Sequence, residues 1–255
     1  MPQVEYEVRD RIAYITMNRP EKLNAMTHEM LRGLWDAFTK VRDDDEVWLG
    51  IVTGEGRAFS VGHDLVEMSA GGKMADTPGS TDELYLFMAT QVWKPIIAAV
   101  NGICLAQGAG VALGADIRVV ADNVQFGWPQ VKRGISSISG PVILSQRVPI
   151  GKALEILLTG DFIGAHEALE LGLVNYVVPA ADVMPKAEEL ASKILVNAPL
   201  AVRGMKEAAV RGLDLPLRDR LEVATKIYDR LQDTEDAAEG LAAFNEKRPT
   251  VFRGR

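Results

Sequence analysis

Asn101-Gly102-Ile103-Cys104-Leu105-Ala106-Gln107-Gly108-Ala109-Gly110-Val111-Ala112-Leu113 decides how this chain folds. It leaves the run Ile96 to Val100, which has no polar alternation and reads as a strand buried on both faces. It then opens a helix that is apolar all round. The first turn of a helix has N–H groups without intrahelical partners and carries the positive end of the helix dipole. Gly108 and Gly110 leave that turn clear of side chains, so an anionic oxygen can sit there. Close packing of helix on sheet uses small residues equally well.

Working outward, a second Gly-rich stretch, Gly54 to Leu65, leaves another apolar strand at Val47 to Thr53. Its glycines permit positive φ and close approach of a ligand to backbone N–H groups. A plain strand-to-helix turn has the same composition. Val4 to Met17 reads as two strands joined near Asp10, and Ile117 to Ala121 as a further buried strand. A helix fits Thr27 to Val41, with Thr27 as its cap and Leu31, Leu34, Trp35, Phe38 and Val41 at helical spacing. Buried strands separated by helices predict a sheet covered on both faces. Ser69 to Asp82, with Gly71, Gly72, Pro78 and Gly79, fits either a mobile lid or a surface loop. Helices follow at Val183 to Asn197, Leu200 to Arg211, Pro216 to Leu231 and Asp233 to Lys247.

The 255 residues allow one large domain or a domain with an appendage, at about 150 residues per domain. We divide them into an α/β core, 1–197, and a helical region, 198–255, that packs on the core or on another subunit. With 28 basic against 35 acidic residues the net charge is −7, which argues against a general nucleic-acid surface. The lone Cys104 excludes an intrachain disulfide and a cysteine-based zinc site, and no histidine pair has metal spacing, so no metal is expected. No apolar run reaches the ~20 residues of a membrane helix, and the N-terminus lacks a signal-peptide pattern. A cytoplasmic protein without membrane contact is expected.

Taken together, the two Gly-rich stretches carry a resemblance. Asn18 to Met26, Arg57 to Met68, Lys94 to Gly102, Gly114 to Ile117, Gln125 to Gly127, Leu158 to Gly160, Glu167 to Val174 and Ala243 to Arg248 stand in the order and spacing of the crotonase (enoyl-CoA hydratase/isomerase) superfamily. The resemblance implies an α/β fold of repeated ββα turns forming a superhelix, followed by C-terminal helices that assemble homotrimers or homohexamers. It implies an acyl-CoA thioester as ligand, with coenzyme A part of the substrate and no separate cofactor. The backbone N–H groups of His63 and Gln107 would hold the thioester oxygen and stabilise an enolate. Lys22, Leu23 and Ala25 would line the adenine and phosphate end, and Asp64, Leu65 and Val66 would run beside the adenine and pantetheine. Gly108 belongs to the second oxyanion segment. Lys247 resembles a lysine that reaches coenzyme A, often from a neighbouring subunit. Lys22 and Lys247 are otherwise ordinary surface lysines.

The chain departs from the family where proton chemistry is done. A hydratase of this family uses two glutamates, and their places are taken by Gly110 and by Gln130, which follows Gln125-Phe126-Gly127-Trp128-Pro129. Neither residue exchanges a proton near neutral pH. Efficient hydration by the two-glutamate route is therefore not expected. The remaining readings are an atypical hydratase or isomerase, a decarboxylase of a malonyl-type thioester, a thioester hydrolase, and a non-catalytic acyl-CoA-binding homologue. Gly62-His63-Asp64 resembles decarboxylating members, although the tyrosine they use further on falls near Ser137. Ser136, Ser137 and Ser139 lie in the segment that lines the acyl pocket, with Trp128 beside it. The serines can orient water or cap a helix beginning near Gly140. His63 titrates near neutrality if unperturbed, while His28 and His166 are expected on helix surfaces. Asp116 is expected to be a structural acceptor.

Overall fold

The computed structural model describes residues 2–70 and 81–255. The expected lid at Ser69 to Asp82 lies largely outside the described residues. The strands are β1 (Val4–Arg9), β2 (Ile12–Met17), β3 (Leu49–Gly54), β4 (Ala58–Ser60), β5 (Ile96–Val100), β6 (Ile103–Leu105), β7 (Ile117–Ala121), β8 (Gln125–Gly127), β9 (Ile163–Gly164) and β10 (Tyr176–Val178). The helices are α1 (His28–Asp43), α2 (Leu65–Ser69), α3 (Thr81–Thr90), α4 (Gln107–Gly114), α5 (Ser145–Arg147), α6 (Ile150–Thr159), α7 (Ala165–Glu170), α8 (Val183–Leu195), α9 (Pro199–Arg211), α10 (Leu217–Gln232) and α11 (Glu235–Glu246).

β1, β2, β3, β5, β7 and β10 form one sheet in that order, and β4, β6, β8 and β9 form a second. β3, β5 and β7 each pass directly to a strand of the second sheet, and helices follow before the chain returns to the first. This is the expected repeated ββα superhelix. Pairing from β2 through to β10 is parallel, so each connection must cross over, and the helices cover the faces. Alternate residues point to opposite faces. On β5, Ala98 and Val100 join the main core, whereas Ile97 and Ala99 meet Ala187, Leu190 and Ala191 of α8. Burial on both faces is the reason these strands lack polar alternation.

The first helix follows its sequence signals. Thr27 Oγ1 accepts from Met30 N at 3.1 Å, and Leu31, Leu34, Phe38 and Val41 are buried. Trp35 stacks on Phe87 with ring centroids 4.4 Å apart. Asp116 accepts from Ile96 N and from Lys206 Nζ, both at 2.7 Å, which ties α9 to the sheet. Cys104 is fully buried, and burial pushes its thiol well above the ordinary range. The outer faces of the last helices stay open, with Leu217, Leu221 and Tyr228 on α10 and Leu241 and Phe244 on α11 exposed.

Candidate active site

A cavity of about 1340 Å³ opens where four segments converge: Arg19 to Thr27, Val61 to Ala70, Leu105 to Gln107, and Pro129 to Ser139. The first wall is held by Asn24. After the single turn Pro20–Lys22, Leu23 and Asn24 take left-handed φ values of 53° and 54°. Asn24 tolerates this conformation and its buried amide supports it. Its Oδ1 accepts from Arg19 N at 2.8 Å, and its Nδ2 donates to Glu55 O at 3.0 Å and Ala58 O at 2.8 Å. Lys22, Leu23 and Ala25 are thereby fixed along the cavity.

The second wall begins at β4. Ser60 Oγ donates to Asn24 O at 2.8 Å and accepts from Gly62 N at 3.1 Å. Met26 N then donates to Gly62 O at 2.8 Å, and Asp64 N to Met26 O at 2.9 Å. Backbone groups alternate in direction along an extended chain. The His63 N–H therefore faces away from Met26, and His63 lines the cavity. Asp64 caps α2 by accepting from Val66 N at 2.9 Å and Glu67 N at 3.3 Å. Its other oxygen pairs with Arg19 Nη1 at 2.6 Å, and Arg19 also donates to Ala25 O at 3.1 Å. The guanidinium holds the Asp64 carboxyl below the usual carboxylate range. Asp64 thus clamps two walls together, while Leu65 and Val66 present exposed apolar surface.

The third wall is the start of α4. Ala106 has φ 52° and ψ −118°, a backbone conformation that costs an L-residue about 1–3 kcal/mol. Its N–H donates to Gly127 O at 2.8 Å, and its carbonyl accepts from Gly110 N at 3.1 Å, the first bond of the helix. The N–H groups of Gln107, Gly108 and Ala109 precede that bond. Gly62, with φ 88°, packs directly against this turn: a Cβ built on it would lie 2.7 Å from Ala106 Cβ and 3.1 Å from Gln107 N. The segments bearing the His63 and Gln107 N–H groups are therefore in van der Waals contact. Gly108 does not line the cavity; it lies against β4, where a Cβ would meet Ser60 O at 2.4 Å.

The fourth wall carries Gln130 and the serines. Gln130 lines the cavity and its buried Oε1 has no hydrogen-bond partner among the described residues. Ser137 Oγ accepts from Gly140 N at 3.1 Å and so caps the wide helical turn Gly140–Leu144. Ser136 is exposed on the cavity. Ser139 is buried, and its Oγ accepts from Trp128 Nε1 at 3.4 Å. A Cβ on Gly110 would lie 3.0 Å from Ser139 Cβ, 3.2 Å from Ser139 Oγ and 2.9 Å from Gln107 Oε1. Ser139 therefore fills the space into which a side chain at 110 would project.

Besides Gly108, three expected site residues are placed off the cavity by the fold. Trp128 is 1% exposed and does not line the cavity, because it packs beneath Gly140; it reaches the site through Ser139. Gly110 is buried behind Ser139 in the same way. Lys247 follows α11 with φ 53° and is not among the residues lining the cavity of a single chain. His28 is half-buried at the start of α1 rather than a plain surface residue, and its charge acts on His63. Burial first, and then His28, pull the His63 imidazole down to about 4, so it is neutral near pH 7. The expectation of titration near neutrality is corrected accordingly. Sequence reading did not single out Arg19, Arg133 or Phe162, which all line the cavity. The Arg19–Asp64 pair joins residues 45 apart, for which no local pattern exists.

Among the described residues no cluster of three His, Cys, Asp or Glu side chains could hold a metal, and no helix is long and apolar enough to cross a membrane. The fold and the paired Gly-rich segments define an enzyme family. The enoyl-CoA hydratase/isomerase family profile matches residues 7–255, and the chain belongs to that family. It is 36% identical to (E)-benzylidenesuccinyl-CoA hydratase of Thauera aromatica over 98% of this chain and 99% of that one. It is 38% identical to carnitinyl-CoA dehydratase of Escherichia coli, over 96% of this chain and 95% of that one. The crystal structure of an enoyl-CoA hydratase from Mycobacterium tuberculosis H37Rv superposes with a TM-score of 0.92 at 37% identity, covering 100% of both chains.

Proposed function

We propose that the protein binds an acyl-CoA thioester and stabilises the enolate form of its acyl group. The observation that carries this is the contact of Gly62 with Ala106 and Gln107, which sets two N–H-bearing segments side by side. The thioester oxygen would accept from His63 N and Gln107 N. Charge grows on that oxygen as the enolate forms, and donors already in place need no reorganisation. One such donor is worth about 10²–10³ in rate. Lys22, Leu23, Ala25, Leu65 and Val66 would line the coenzyme A portion, with Asp64 holding the walls together and Lys247 reaching in from a neighbouring subunit of a trimer or hexamer.

A second reading is favoured by Gly110 and Gln130. Without a carboxylate at either place, chemistry that needs no general base suits the site. In decarboxylation of a malonyl-type thioester the carboxylate carbon–Cα bond breaks. Its electron pair remains on the acyl group as the enolate, CO₂ leaves, and a proton from solvent then adds at Cα. The relatives named hydratase and dehydratase support acyl-CoA chemistry without specifying which reaction this site performs. A mass-spectrometric turnover screen with saturated, 2-enoyl, 3-enoyl and malonyl-type CoA esters tests both readings. Conversion of at least one class is expected. Tight binding with no conversion would leave a binding protein, and absence of binding would overturn the proposal.

A further inference from the structure

We infer that Arg133 makes the acyl end of the cavity selective for acyl groups that carry a carboxylate. This rests on the acyl-CoA reading above and names a substrate class for it. Arg133 is exposed on the cavity at the end of the turn Pro129–Arg133, one turn from Gln130. No ion pair or hydrogen bond engages its guanidinium among the described residues. Its neighbour Lys132 is already paired with Asp161 at 2.6 Å.

Among the described residues the cavity offers Arg133 no free carboxylate. The acidic side chains lining it, Asp64 and Glu67, belong to the opposite wall and are engaged. Asp64 holds Arg19 and caps α2, and Glu67 Oε2 accepts from His28 N at 3.0 Å. The wall that bears Arg133 carries Gln130, Ser136 and Ser137 and no carboxylate. A guanidinium presents paired N–H donors that match a carboxylate in two parallel bonds. Ile135 and Ile138 on the same segment, together with Phe162, are 38%, 55% and 46% exposed and line the cavity. The complement is an acyl group with an apolar body and a carboxylate, the half-thioester of a dicarboxylic acid. A neutral acyl group would leave Arg133 hydrated and gain nothing from it.

The test compares binding of saturated CoA esters, so that the reaction performed does not enter. Glutaryl-CoA is matched with pentanoyl-CoA and adipyl-CoA with hexanoyl-CoA, by calorimetry on wild type, Arg133→Gln and Arg133→Lys. In at least one pair the carboxylated ester should bind wild type about tenfold more tightly, as a charge-assisted bidentate contact provides. Arg133→Gln should erase that ratio while leaving the neutral ester within about twofold, and Arg133→Lys should keep part of it because charge remains without the fork. Absence of a preference in both pairs would overturn the inference. So would an equal loss for both members of a pair in Arg133→Gln, which would place Arg133 on the coenzyme A phosphates. Failure of every ester to bind would overturn the acyl-CoA reading itself, and this inference with it.

Discussion

Gly62 and Ala106 touch with both backbones at positive φ, 88° and 52°, and a Cβ on the first would stand 2.7 Å from the Cβ of the second. That contact sets the separation of the His63 and Gln107 N–H groups, and no side chain intervenes. Gly62→Ala should therefore drive the segments apart. We expect kcat/KM on the best ester from the turnover screen to fall by about 10²–10³, the value of one oxyanion donor. Stability should fall by about 1–3 kcal/mol from strain at positive φ. Ala106→Gly should relieve strain and raise the urea midpoint with little change in turnover. Unchanged kinetics in a folded Gly62→Ala protein would dissociate the contact from catalysis.

In the proposed oxyanion role His63 would act through its backbone N–H, and its half-buried imidazole should behave as a neutral group. Its pKa is depressed to about 4 from an ordinary value near 6.5. The unfolded chain then binds a proton between those values that the native state does not. Stability should accordingly fall as pH drops from about 6.5 to about 4, and be insensitive to this group above that window. Nuclear magnetic resonance titration of the imidazole should give a midpoint below pH 5. His63→Gln keeps the N–H, so turnover should stay within about tenfold of wild type, far from the 10²–10³ of a missing donor. A midpoint near 6.5 would contradict the assignment.

The legible parts of this molecule are those that repeat or terminate locally. Thr27 announced α1 because a capping hydroxyl and a 3.6-residue apolar period occur together. β3, β5 and β7 were visible because burial on both faces leaves nearly continuous apolar runs, broken in β7 by the buried Arg118. The second sheet was harder, since β4, β6 and β8 have three residues each and show no period. Motif order pointed to the two Gly-rich segments that the fold brings into contact at Gly62 and Ala106. It could not give the positive-φ turn at Ala106, because alanine does not advertise positive φ. Nor could it place Trp128 under Gly140 or Ser139 over Gly110, since those are packing relations between separate segments.

The C-terminal helices lead to a prediction about assembly. Leu217, Leu221 and Tyr228 on α10 are 74%, 61% and 62% exposed, and Leu241 and Phe244 on α11 are 69% and 83%. Contiguous apolar surface on a single chain marks a contact face. Light scattering at micromolar concentration should give a trimer or hexamer of the 27.8 kDa chain. Phe244→Glu with Leu241→Glu should shift it toward monomer and weaken coenzyme A ester binding if Lys247 acts across subunits. A stable wild-type monomer would remove that role from Lys247.

The absence of carboxylates at 110 and 130 gives the sharpest test of the site's chemistry. Wild type should hydrate crotonyl-CoA poorly, because water needs a base on one side and the α-carbon an acid on the other. Each such group contributes about 10²–10⁴. Gln130→Glu alone supplies one and should gain little. Gly110→Glu alone also meets a steric obstacle, since its Cβ would sit 3.0 Å from Ser139 Cβ. Ser139→Gly clears that space but removes the acceptor of the Trp128 Nε1 bond, a loss of about 1–3 kcal/mol unless the new carboxylate replaces it. The combination Gly110→Glu, Gln130→Glu and Ser139→Gly should therefore hydrate crotonyl-CoA faster than any single or paired variant, and by more than the product of the separate gains. Steady-state hydration of each variant, with folding checked by circular dichroism, decides it. Wild-type turnover equal to that of a two-glutamate hydratase would mean that a group already in the cavity moves the protons. Ser139 would then be the first residue to replace, since its hydroxyl occupies the space in front of Gly110.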